Sequence, residues 1–205
     1  MIRGTEPAAA GSDPRTVRPR VLLVVAATER ELASVRDAET LCCGIGPVEA
    51  ALQTARALAE RPVDAVLHIG LAGAQTLEPP ALVLGSEAVY CDVIDASSAL
   101  PRIERIEPDE RLLARAREAL PEARVLPIAT CGAVGRGSAC EVEAMEGFGV
   151  LRAAALAGVP ALELRAISNA VGEPDRARWR FDDALAALAD AVDRLVPALR
   201  VYDVV

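Results

Sequence analysis

Aromatic residues are scarce in this chain of 205: one Trp, two Tyr and two Phe. The core must therefore be built from Val, Leu, Ile and Ala, which favours a layered α/β architecture whose parallel strands are continuous aliphatic runs. Histidine is scarcer still. His68 is the only one, so a His-based triad and a multi-His metal site are excluded by inventory. The five cysteines (Cys42, Cys43, Cys91, Cys131, Cys140) contain no C-x-x-C spacing. They read as reduced thiols of a cytoplasmic protein, with no metal and no cofactor implied. No apolar run reaches the roughly 18 residues of a membrane span, so no membrane partner is expected. Positive charge is in deficit, with a formal net of −8. The basic residues are also scattered, which discounts nucleic acid as a partner. Residues 1–19 lack the apolar segment of a signal peptide and read as a flexible tail, with a single domain over 20–205.

What is present is alternation. Aliphatic runs at 20–27, 39–43, 63–70, 81–94, 123–130 and 160–168 predict strands, the fourth broken near Gly85. Helical patterns lie between them at 28–36, 48–60, 108–120 and 145–158, and a long amphipathic helix closes the chain at 181–199. Thr28 and Glu31 form a T-x-x-E capping box, and Pro47 suits the first position of a helix. Strands alternating with helices predict βαβ units. In such sheets ligands bind at the C-terminal ends of strands, which singles out Thr28–Glu31, Gly70–Gly73, Thr130–Gly135, Met145–Glu146 and Asn169. A dinucleotide fold would want G-x-G-x-x-G after the first strand; the chain has AATERE there, and that reading is discounted.

The order of these pieces carries a resemblance. A first strand leads to Glu31; Gly70-Leu71-Ala72-Gly73 follows a strand; Met145-Glu146-Gly147 opens a helix; Arg165-Ala166-Ile167-Ser168-Asn169 ends a strand. This series resembles the nucleoside phosphorylase and nucleosidase superfamily, which includes the methylthioadenosine/S-adenosylhomocysteine nucleosidases. Residues 143–188, with R-A-I-S-N-x-V-G and R-W-x-F, resemble the futalosine hydrolases of menaquinone biosynthesis. The resemblance implies a three-layer α/β fold with a mixed, mostly parallel central sheet flanked by helices. It also implies N-glycosidic hydrolysis of a purine nucleoside, a small-molecule substrate, and a homodimer or higher homo-oligomer.

Such a reaction passes through an oxocarbenium-like state, with positive charge on the ribose and negative charge on the departing purine. It needs a base for water, acceptors for ribose hydroxyls and donors for the base. By the resemblance Glu31 is the base, although locally it is also the fourth member of the capping box. Glu146 accepts from the ribose hydroxyls; as a helix-start glutamate it also suits the macrodipole. Met145 packs on the sugar, and Val134 lies against the purine. Asn169 stands where methylthioadenosine relatives carry Asp. Its amide can donate to O6 of a 6-oxopurine, which an ionised Asp would oppose; a turn residue at a strand end is the plainer reading. Arg165 is expected to orient Asn169. Gly70, Ala72 and Gly73 are expected as a loop admitting close backbone approach, and Leu71 replaces a frequent Ser. Trp179 or Phe181 is expected against the 5′ substituent, with Arg176 or Arg178 meeting its carboxylate. Another purine nucleosidase of the methylthioadenosine/S-adenosylhomocysteine type, a purine nucleoside phosphorylase and a non-catalytic nucleoside binder remain the alternatives. Compared with the family pattern, the 131–140 loop is short and a hairpin ahead of Gly44-Ile45-Gly46-Pro47 is missing.

Overall fold

Strand β1 (Leu22–Ala26) is buried at every position, and its alternating side chains enter two different cores. Leu22, Val24 and Ala26 pack on one face of the sheet, Leu23 and Val25 on the other. This is the strand period of two acting on a sheet covered on both sides. The computed structural model describes residues 20–92 and 103–200. The expected tail and the last two residues of the 81–94 segment lie outside them.

After β1 come α1 (Glu29–Leu32), β2 (Glu39–Cys42), α2 (Pro47–Glu60), β3 (Ala65–Ala74), β4 (Leu82–Tyr90) and β5 (Arg105–Ile106). Next are α3 (Glu110–Ala119), β6 (Arg124–Thr130), β7 (Val142–Ala144), α4 (Gly147–Ala157), β8 (Ala161–Ala170), a single 3₁₀ turn (Arg176–Arg178) and α5 (Phe181–Arg200). Strands β2, β1, β3 and β8 run parallel side by side. Strand β8 then meets β4 antiparallel, β4 and β6 are parallel, and so are β6 and β7. Strand β7 returns to β3 antiparallel, pairing Gly73 with Glu143. The path β3–β8–β4–β6–β7 therefore closes into a ring. Its filling is small: Ala72, Ala74, Val83, Ile128, Val142, Ala144 and Ile167. Large side chains would not fit inside so narrow a closure.

Helices α3 and α5 cover one face and α2 and α4 the other, giving the expected three layers. Leu188, Val192, Leu195 and Leu199 line the inner stripe of α5; truncating one such leucine to alanine costs roughly 2–5 kcal/mol. Four expectations are corrected. Residues 70–74 are not a loop, because β3 continues through them with a register shift at Ala72/Gly73. Helix α1 is four residues long rather than a helix over 28–36. Strand β7 was not foreseen, being only three residues long. Strand β8 runs past Asn169 to Ala170, so Asn169 is a strand residue and not a turn. Strands β4, β6 and β7 oppose β1, β3 and β8, which brings β7 beside the C-terminal end of β3.

Candidate active site

The capping box at α1 is complete: Glu31 N donates to Thr28 Oγ1 at 3.4 Å, and Thr28 N donates to Glu31 Oε2 at 3.0 Å. Thr28 Oγ1 also donates to that oxygen at 2.8 Å. These bonds use Oε2 alone. The other oxygen, Oε1, accepts from Leu71 N at 2.9 Å. The carboxylate thus spans from the helix start to the end of β3, and Glu31 lines a cavity of about 380 Å³. Cap and cavity group are the same residue.

Behind this carboxylate lies Arg165, fully buried on β8. Its Nε donates to Glu163 Oε1 at 2.8 Å, and its Nη1 to Leu71 O at 3.4 Å. Its Nη2 contacts His68 Nε2 and lies 3.6 Å from Glu146 Oε2. His68 Nδ1 faces Val25 O at 3.0 Å, which places the imidazole proton on Nδ1 and leaves Nε2 to accept from Arg165. Burial, with the Arg165 charge beside it, holds the His68 pKa well below its usual value. Burial opposes the charge of Arg165, but Glu163, Glu146 and Glu31 together outweigh it and raise its pKa. For Glu163, burial and the neighbouring Glu146 push the pKa up against the pull of Arg165. Gly70 belongs to this layer and not to the cavity wall. A Cβ there would lie 2.2 Å from Arg165 Nη1 and 2.9 Å from Glu31 Oε1.

Glu146 precedes α4 with its carboxylate buried, and Oε1 accepts from Gly46 N at 3.0 Å. Two glycines of α4 make this possible. A Cβ at Gly149 would fall 2.4 Å from Pro47 O, so its absence lets α4 approach the start of α2, where Gly46 lies. A Cβ at Gly147 would fall 2.3 Å from both Glu163 oxygens. The M-E-G-F-G run therefore encodes close approach as much as helix. The α4 start is anchored further by Phe148 N donating to Thr130 Oγ1 at 2.8 Å.

Asn169 lies across the cavity. Its Oδ1 accepts from Ser168 Oγ at 2.8 Å, and Nδ2 donates to Ala170 O at 3.0 Å. This fixes the amide and leaves one N–H of Nδ2 for a ligand. Arg165 does not orient Asn169, contrary to expectation; its donors go to Glu163, His68, Leu71 and Glu146. Ala72, Gly73, Val134, Met145, Trp179 and Phe181 line the cavity. Val134 stands at the mouth, more than half exposed. Trp179 and Phe181 meet with ring centroids 5.3 Å apart, and Trp179 Nε1 donates to Glu173 O. Neither Arg176 nor Arg178 lines the cavity. Arg176 lies over the Trp179 ring, and Arg178 pairs with Glu173. The cation on the cavity wall is Arg30, paired at the surface with Asp182 at 2.6 Å.

Glu163, His68, Arg30 and Glu143 were not singled out as site residues from the sequence. Glu163 and Arg165 do leave a signal, since opposite charges two apart in an apolar strand share a face. Glu143 lies in Glu-Val-Glu-Ala, the alternation of a half-buried strand. It lines the cavity, is nine-tenths buried, and neither of its oxygens has a hydrogen-bond partner among the described residues. The buried thiols of Cys43 and Cys131 offer no nucleophile. Burial, with Glu146 nearby, pushes the Cys43 pKa to about 12; burial, with Cys91 nearby, pushes that of Cys131 to about 12. The cavity can hold a polyhydroxylated ligand between two fixed carboxylates and an amide, with an apolar exit.

Comparison with known proteins matches residues 37–199 to the phosphorylase superfamily; Glu31 precedes that match. A futalosine hydrolase of Streptomyces coelicolor is 38% identical over 186 residues, covering 78% of this chain and 79% of that protein. A futalosine hydrolase of Thermus thermophilus is 36% identical over 176 residues, covering 75% and 78%. Among solved structures, a futalosine hydrolase mutant of Helicobacter pylori superposes with a TM-score of 0.76 at 21% identity, covering 88% of this chain and 98% of that one.

Proposed function

The chain belongs to the phosphorylase superfamily and, within it, to the futalosine hydrolases, and from that premise we propose how it cleaves its substrate. The substrate is futalosine, the products are hypoxanthine and dehypoxanthinyl futalosine, and the step belongs to menaquinone biosynthesis. The observation that carries the reading is the pair of fixed carboxylates, Glu31 and Glu146, with Asn169 facing them across one cavity. Glu31 holds water through Oε1 and takes its proton as the oxygen attacks C1′. Glu146 accepts from the ribose hydroxyls and complements the cationic sugar. As the C1′–N9 bond breaks, its electron pair passes to the purine. The free N–H of Asn169 steadies that charge at N7 or O6. Met145 supports the sugar and Val134 the base.

The buried guanidinium of Arg165 is committed to Glu163, His68 and Leu71 O. This favours water over phosphate as the nucleophile. At the mouth, Trp179 and Phe181 take the 5′ substituent, and Arg30 replaces Arg176 and Arg178 as the cation for its carboxylate. Ile45, Val48 and Leu52 are exposed by 66%, 67% and 62%. They form an apolar stripe beside the cavity and support a homodimer through this face. No described helix is long and apolar enough to cross a membrane.

Release of the free base, hypoxanthine from futalosine and inosine and adenine from methylthioadenosine, followed by chromatography in phosphate-free buffer, tests the proposal. Rapid release from futalosine alone is expected. A rate that requires phosphate would replace hydrolysis with phosphorolysis, and futalosine binding without release would leave a non-catalytic binder.

A further inference from the structure

We infer that His68 and Glu163 are positioning residues that hold the Arg165 guanidinium off Glu146, so that Glu146 Oε2 stays free for a ribose hydroxyl. The inference rests on the ribose reading of Glu146 and gives a task to two buried residues which that reading leaves idle. Neither His68 nor Glu163 lines the cavity, and nor does Arg165, whereas Glu146 does. Glu146 Oε1 is already held by Gly46 N, so Oε2 is the oxygen at issue. Arg165 Nη2 lies 3.6 Å from it. At that distance the charges attract, but no hydrogen bond is made. A buried guanidinium and carboxylate left to themselves close to about 2.7–2.9 Å. Something holds this pair apart.

Strand register places the two competitors. His68 on β3 pairs with Glu163 on β8, and Gly70 pairs with Arg165. Paired residues and those two apart share a face, so His68, Glu163 and Arg165 stand together around a glycine. The guanidinium lies over Gly70, where a Cβ would fall 2.2 Å from Nη1. Glu163 is wedged against the start of α4, filling the space a Gly147 Cβ would need. Its Oε1 takes Nε at 2.8 Å, and its Oε2 has no hydrogen-bond partner among the described residues. Its charge is thus directed at Arg165. His68 spends its Nδ1 proton on Val25 O, which leaves Nε2 to accept from Nη2, the same nitrogen that faces Glu146. Leu71 O takes Nη1 at 3.4 Å. A planar group held at all three nitrogens cannot tilt toward Glu146. Remove the His68 acceptor or the Glu163 charge, and Nη2 closes on Oε2 and occupies the oxygen meant for the sugar.

Isothermal titration of inosine and 2′,3′-dideoxyinosine reads the ribose hydroxyls directly, with thermal melts as a folding control. The wild type is expected to prefer inosine by about 100-fold. In Glu146→Ala that preference should collapse to within about threefold. In Glu163→Gln, which keeps the shape and loses the charge, it should fall about tenfold, and in His68→Leu by the same factor. His68→Gln is the rescue: its amide oxygen can accept from Nη2, and the preference should stay within about twofold of the wild type. If His68→Leu does not fold, the two glutamine variants decide the matter between them. A merely structural role would weaken both nucleosides together and leave their ratio unchanged, which would overturn the inference. So would a tenfold fall in His68→Gln. The two readings fail differently. No preference in the wild type, or one that survives in Glu146→Ala, overturns the ribose reading and the inference with it. Loss of the preference in Glu146→Ala but not in Glu163→Gln overturns the inference alone.

Discussion

The inner and outer ends of the cavity are built on opposite principles. At the inner end Glu31, Glu146, Glu163, Arg165 and His68 are buried and tied to one another or to main chain. At the outer end Val134, Ile45 and the Trp179–Phe181 pair present half-open apolar surface, and Arg30 is held only by an exposed ion pair. A buried charged network leaves its members no alternative geometry, because any partner lost strands a charge in low dielectric. An exposed pair contributes about 0–1 kcal/mol and rearranges freely. The inner end is suited to fixing a reaction coordinate, the outer end to accepting a bulky substituent.

That contrast can be broken from the inside. Replacing Glu31 with Gln removes the proton acceptor and keeps the shape. Turnover of futalosine should fall about 10³-fold with KM within about threefold; steady-state kinetics that show mainly a KM change would make Glu31 a cap alone. Gly147→Ala comes next. Its methyl group would lie 2.3 Å from Glu163, so Arg165 must shift. We expect about a 100-fold loss in kcat and a lower Tm, with the kcat partly recovered in the Gly147→Ala/Glu163→Ala pair. Additive losses in that cycle would mean that the two positions are not coupled. At the outer end, Phe181→Ala should raise KM for futalosine about tenfold while leaving kcat within about twofold, and should leave the affinity for inosine, read by calorimetry, unaffected. An equal loss of inosine affinity would move Phe181 into the sugar site.

The smallest effect concerns pH. His68 is neutral in the fold, with its pKa held well below 6.5 by burial. Below that value the unfolded chain binds a proton that the folded one refuses. Its stabilising contribution is therefore full above the unfolded pKa and falls by about 1.4 kcal/mol per pH unit on acidification below it. Glu163 acts in the opposite sense. Its raised folded pKa means that acidification toward 4.5 protonates the folded chain first, which offsets part of the loss. The His68→Gln variant should therefore lose less Tm than the wild type between pH 7 and pH 5 in a melting series. An equal loss would assign the acid sensitivity elsewhere.

Legibility in the sequence follows the range of the forces involved. The capping box was readable because Thr28 and Glu31 are three residues apart, and the aliphatic runs were readable because each strand declares itself. The family resemblance supplied Glu146 and Asn169 as candidates. What stayed hidden depends on distant partners. The Leu71 N–H that fixes Glu31 is 40 residues away in the chain. Arg165 was assigned to Asn169 by nearness along one strand, whereas its contacts lie on β3, at the start of α4 and at Glu163. Strand β7 spans three residues, so the alternation in Glu-Val-Glu-Ala was too brief to mark a strand and Glu143 was not singled out. The 70–74 segment read as a loop because small residues usually mean a turn; here they are small to make room for Arg165 and Glu31 on one side and the cavity on the other.

Both candidate carboxylates are anchored by peptide N–H groups, of Leu71 and Thr28 for Glu31 and of Gly46 for Glu146. A side-chain substitution cannot delete a peptide donor; only proline can. The placement of the two acids is thus insured against ordinary point mutation at the positions that hold them. Drift at residue 71, where this chain has leucine, costs the reaction a side chain but not the anchor. Such a site can change its neighbours, and through them its preferred nucleoside, without first losing the geometry on which any glycosidic cleavage here would depend.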